Sequence, residues 1–244
     1  MKFTYDAYRD LLQSLNQHGY VVSSYHNWME TSRCAILRHD IDNDIEKALE
    51  LAKVEKELGV TSTYFVLVSS DFYNVFSSKS EKLLKEILAC GHDIGLHFDE
   101  VRYPEIKTPE DAKERIAEES KLLSLAIGQK VDTVSMHRPS KMMLEADLEI
   151  PGIINSYSQA FFKGFKYLSD SRRRWREPVE DIVTSEAYER LHILTHAIWY
   201  NDDEIDIHDS IYRFVNAGNI QRYMTEQENI TDLESIMPKG EVKQ

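Results

Sequence analysis

Short runs rich in apolar and β-branched residues alternate along this chain with longer segments of helical period. That alternation restricts the fold more than any single residue does. CAIL (34–37), TSTYFVLV (61–68), HDIGLH (92–97), VDTVSM (131–136) and LHILTH (191–196) read as buried strands. NSYS (155–158) and KYLSD (166–170) are shorter strand candidates on either side of AFFKGF. The intervening helices carry start and stop signals. One covers IEKALELAKVEKELG after a capping Asn43 or Asp44, one ends at Gly91, and one fills 108–127. Tyr5, Tyr8, Leu11, Leu12 and Leu15 place a first helix over 5–19, residues 179–190 a later one, and 203–224 a last one. Strands alternating with helices in this way form parallel βαβ units, so an α/β fold is expected. A single domain over 1–226 with a polar tail over 227–244 accounts for the whole chain.

The chain has 244 residues and a formal net charge of -13, a balance that argues against nucleic acid or an anionic membrane surface as the main partner. The exception is the local basic run SRRRWRE, which taken alone reads as a solvated face. The two cysteines make no disulfide framework. No run of about 18 apolar residues suggests a membrane span, and no leader-like segment opens the chain; a cytoplasmic protein is expected. Glycine-rich phosphate loops and GxSxG elbows are absent, which weakens nucleotide-dependent and serine-hydrolase readings.

In parallel α/β folds, functional residues gather where strands end at their carboxyl side. Five polar clusters fall there: RHDID after CAIL, HFDE after HDIGL, HRPS after VDTVSM, SDS after KYL, and TH after LHIL. Asp40 and Asp42 stand at i, i+2, so in extended chain both carboxylates project to one side. A divalent metal held by one would leave the other as general base for water. The competing reading is a solvated turn that caps the next helix. His97 and His137 leave two other strands, and a carboxylate with two imidazoles is a common donor set for zinc. His196 leaves the last strand in position for a general acid, whereas His39 points to the other face and reads as structural.

Taken in order, these segments resemble the polysaccharide deacetylase family, the family 4 carbohydrate esterases and their relatives, over about residues 34 to 200. ILRHDID is similar to the first family motif in a D-x-D form, TSTYFV to the strand after the first helix, and GHDIGLHFD to G-H-E-I-G-x-H. HRPS, SDSRRRW and LHILTHAIWY resemble the remaining motifs, in a form like that of a branch associated with surface-polysaccharide biosynthesis. The resemblance implies a distorted (β/α)7 barrel that removes N-acetyl groups from an amino sugar with a divalent metal, most simply zinc. It implies Asp40 as base, His196 as acid, and Asp42 and His97 as metal ligands. Arg138 would orient the base, Asp170 and Trp175 would pack around that arginine and the acid, and Leu194 would line the acetyl pocket.

The chain departs from the family at Val101, where H-x-x-x-H has its second histidine, and at Ala197 and Tyr200 on the rim. His137, or Asp99 at i+2 from His97, would fill the vacancy, with His137 favoured because it leaves a strand on the same face. Hydrolysis of another non-peptide C–N bond, and a metal-free saccharide-binding descendant, are the alternative functions. No sequence feature bears on the oligomeric state.

Overall fold

A computed structural model of the protein describes residues 1–243. They form two compact units that divide after Asp202. The first contains β1 (Val21–Ser23), β2 (Cys34–Ile41), β3 (Thr63–Val66), β4 (Asp93–Phe98), β5 (Thr133–Met136), β6 (Ile154–Asn155), β7 (Lys166–Ser169) and β8 (Arg190–Thr195). All paired strands run parallel, in the order β6-β5-β4-β3-β2-β8-β7, with β1 added beside β2. The helices between them include α1 (Tyr5–Gln17), α2 (Ile45–Glu57), α3 (Ser78–Ala89), α4 (Pro109–Ile127), α5 (Lys141–Glu145), α6 (Gln159–Phe162) and α7 (Val179–Ser185).

The sheet curls on itself. β6 lies four places from β2, which in a flat sheet would separate them by roughly 19 Å. Instead the Arg38 guanidinium of β2 reaches Ser156 Oγ, just past β6, at 3.5 Å. Phe161 and Phe165 pack on the same inner face with Ile36 and Phe65. Among the described residues β6 and β7 do not pair with each other, so the seven-stranded path is a distorted, open (β/α)7 barrel, as expected. This small aromatic core fills the inside, and a larger aliphatic core lies between the sheet and its helices.

The strand expected over CAIL runs on through RHDI, and all eight of its residues are buried. Charge does not end the strand because each charged side chain finds a partner on its own face: Arg38 meets Asp40 inside, and His39 meets Glu55 of α2 outside. His92, read from sequence among turn residues, is also buried. Its Nε2 donates to Ala52 O at 2.9 Å, which leaves Nδ1 to accept from the Ser62 amide at 3.2 Å. Of NSYS only Asn155 is in a strand, the two-residue β6, whose other member is Ile154.

The second unit holds α8 (Ile207–Asn229), capped by the Asp206 side chain, and α9 (Leu233–Ile236). The segment expected as a polar tail is therefore partly helical. The Tyr223 hydroxyl ties it down, its single proton facing both Glu234 Oε2 at 2.6 Å and Met237 O at 2.8 Å. No helix among the described residues is long and apolar enough to cross a membrane.

Gly95 sits on the inner face of β4, two residues before His97, where an added Cβ would lie 2.5 Å from the Phe65 ring and 2.6 Å from Thr133 Oγ1. Gly95→Ala is expected to destabilise the protein by about 1–3 kcal/mol through overpacking. Urea unfolding checks it: the midpoint should fall with the slope unchanged.

Candidate active site

Alternation along β2 sends Arg38 and Asp40 to the inner face, and Asp42 follows just beyond the strand. Arg38 grips Asp40 with two parallel hydrogen bonds, Nε to Oδ1 and Nη2 to Oδ2, both 2.8 Å. Both side chains are almost fully buried, at 1% and 4% exposure. The Arg38 guanidinium also lies over the Phe65 and Tyr157 rings. Burial alone would raise the Asp40 carboxyl, but the charge of Arg38, helped by His97 and His196, outweighs it and holds Asp40 below the usual carboxylate range. Asp40 is thus an anion at neutral pH, with lone pairs left over, since each carboxylate oxygen can accept twice.

The arginine beside Asp40 is not the expected one. Arg138 is 59% exposed and its guanidinium pairs with Asp99, while Arg38 holds Asp40. The local reason is geometric: residues at i and i+2 of one strand lie side by side, so Arg38 reaches Asp40 without crossing the barrel. R-x-D on a buried strand was the available signal.

Asp42 Oδ1, His97 Nε2 and His137 Nδ1 converge from β2, β4 and the residue after β5. The separations are 3.2 Å from Asp42 to His97, 3.1 Å from Asp42 to His137, and 3.1 Å between the two imidazoles. Donors at zinc–ligand distance around a tetrahedral ion stand roughly 3.3 Å apart, so the triangle fits one face of such an ion. Asp42 Oδ1 is also a buried oxygen without a hydrogen-bond partner. Burial would raise the Asp42 carboxyl, but the flanking His137 and His97 imidazoles hold it far below its usual range. These three residues form a potential metal-binding group. Asp99 is occupied elsewhere: its Oδ2 takes Arg138, and its Oδ1 accepts from the Val101 amide at 3.3 Å.

His196 leaves β8 with Nδ1 2.6 Å from Asp170 Oδ1, and its amide donates to Asp170 Oδ2 at 3.1 Å. Asp170 is completely buried, and the Tyr200 hydroxyl donates to it at 3.3 Å. Burial would lower the His196 imidazole, but Asp170 overrides it and pushes the group up to about 9. His196 Nε2 stands 3.8 Å from Asp42 Oδ2, on the metal-candidate side. The imidazole therefore carries a proton at neutral pH and aims it into the site. Leu194 is buried on β8 in register with Arg38, beneath the site. Trp175 packs against the outer core with its indole N–H buried and unpaired.

No protein-family model matches the chain, and no curated protein does. Solved structures do resemble it. The CE4 domain of a multidomain xylanase from the hindgut metagenome of Trinervitermes trinervoides matches with a TM-score of 0.45 and 13% identity, over 76% of this chain and 80% of that one. A deacetylase of Streptococcus pyogenes, described in complex with acetate, gives 0.45 and 12%, over 78% and 80%. A CE4 family pseudoenzyme from Bacillus anthracis gives 0.42 and 13%, over 78% and 62%. Likenesses this distant assign no activity to the chain.

Because His196 rises above its unfolded value, the His196–Asp170 pair stabilises the fold fully below the ordinary imidazole range. That contribution is lost as pH climbs through about 9. In Asp170→Asn the imidazole is expected to titrate near or below its ordinary value of about 6.5. Following the ring proton of His196 by NMR across pH checks this.

Proposed function

We propose that this protein is a divalent-metal-dependent hydrolase that removes the acetyl group from an N-acetylated amino sugar. The observation that carries the reading is the donor triangle of Asp42, His97 and His137, set between an arginine-held carboxylate and a protonated histidine. The ordered strand-end motifs support the choice of an acetylated sugar. Zinc is the ion that one carboxylate and two imidazoles suit best.

A bound divalent ion would supply positive charge that polarises an acyl carbonyl and makes nearby water more acidic. The protein does the rest. Asp40 accepts a proton from the attacking water, and Arg38 keeps that carboxylate ionised and aimed until it does so. Water oxygen bonds to the carbonyl carbon, and the C–N bond then breaks. The departing amine takes the Nε2 proton of His196, while Asp170 steadies the imidazole from behind. Acetate and a free amino sugar result.

Two outcomes test the assignment. Asp40→Asn should lower turnover by at least ~100-fold while bound metal stays the same, the scale expected for loss of a general base. Acetate release together with elemental analysis reads both quantities; a fully active variant would remove Asp40 from the mechanism. His137→Ala should lose metal on dialysis whereas Asp99→Ala keeps it, as measured by zinc titration. The reverse pattern would exchange those two roles.

A further inference from the structure

Behind the sheet, opposite the site, lies a buried polar cluster that the chemistry above leaves unused. Glu55 of α2 is completely buried, and four groups converge on its carboxylate: the hydroxyls of Tyr8 at 2.6 Å, Ser62 at 2.6 Å and Tyr64 at 2.7 Å, and His39 Nε2 at 2.9 Å. Burial would raise this carboxyl, but His39 and the other donors bring it down to about 2, so it is anionic and demands these bonds. The His39 ring is fixed further by Tyr64, whose ring centroid lies 4.5 Å away. Its second nitrogen, Nδ1, is 2.6 Å from Thr195 Oγ1.

His39 and Thr195 are register partners across β2 and β8. Each stands one residue before a group of the proposed chemistry, His39 before Asp40 and Thr195 before His196. Because successive side chains alternate between faces, a link on the outer face between 39 and 195 fixes the spacing of the inner-face groups at 40 and 196. Beyond this point β2 and β8 are no longer paired, since their register ends at His39 and Thr195. The side-chain bond is thus the last tie between the two strands before they deliver base and acid. We infer that Glu55, His39 and Thr195 act as a positioning relay that sets the distance between the base-bearing and acid-bearing strand ends.

The inference rests on the reading of Asp40 and His196 as base and acid, but its geometric half can be tested without turnover. Thr195→Val, Thr195→Ser and Tyr64→Phe are compared in the full chain. Tyr64→Phe removes a Glu55 donor but keeps the ring against His39 and leaves the His39–Thr195 bond untouched, and so controls for simple loss of stability. Thr195→Val should lower kcat by about 10- to 100-fold with KM close to wild type, the scale of a misplaced catalytic group. Thr195→Ser should restore kcat, and Tyr64→Phe should leave it within about twofold even if it melts earlier. Equal loss of kcat in Tyr64→Phe, or no loss in Thr195→Val, overturns the relay. Crystal structures of the same variants decide independently of activity. The 3.8 Å separation of Asp42 and His196 should widen in Thr195→Val and not in Thr195→Ser. If the wild type releases no acetate, the proposed function fails, and an unchanged separation in Thr195→Val would separately sink the relay.

Discussion

The Asp40 carboxylate stays ionised inside the mouth of the barrel because a positive charge is buried with it, and that charge is Arg38. The two parallel hydrogen bonds to Asp40 satisfy the guanidinium on one edge, while aromatic faces and Ser156 receive the rest. This pair lets β2 continue through the three polar or charged positions Arg38, His39 and Asp40 as a buried central strand. Because β2 continues, it can pair with both β3 and β8, and those pairings bring His97 and His196 alongside Asp42. Removal of the guanidinium would leave an uncompensated charge under the site and nothing to offset the burial of this stretch of β2.

The same rule operates on both faces of the sheet. Inside, Arg38 meets Asp40 and Asp170 meets His196; outside, Glu55 gathers four donors around a single carboxylate. None of these groups is left to solvent, and none is left alone. Pairs of this kind add little net stability by themselves, but losing one partner is costly, so they hold geometry more than they hold the fold. The fold itself is held by the aliphatic layer between sheet and helices.

Much of this was legible in the residues. Period-two and period-3.6 patterns located the main strands and helices, and the strand-end rule brought Asp40, Asp42, His97, His137, Asp170 and His196 to one place. What stayed hidden has one physical cause: pairing partners are set by three-dimensional proximity, which a one-dimensional pattern does not carry. Arg38 looked like the polar end of a strand because its aromatic bed comes from Phe65 on the neighbouring β3 and from Tyr157 beyond β6, at the far edge of the sheet. Arg138 sat in a motif-like HRPS, yet the fold gives it Asp99 instead of Asp40. Glu55 is one of several charges in the helical segment IEKALELAKVEKELG, and only the packing of α1, β2 and β3 around it shows that it faces inward. The helical turns after residue 226 were masked by polar composition, because Tyr223 supplies their anchor from an earlier segment.

The ion pair between Arg138 and Asp99 also has an electrostatic effect on its neighbours. By engaging Asp99, it leaves the convergent donors Asp42, His97 and His137 with a single formal negative charge. A second carboxylate in that set would neutralise a divalent ion completely, whereas one carboxylate and two neutral imidazoles leave a surplus of one positive charge. With an ion bound there, that surplus would be what acts on an incoming carbonyl or water. An exposed arginine with no place among the donors would thereby govern how strongly the site attracts electrons.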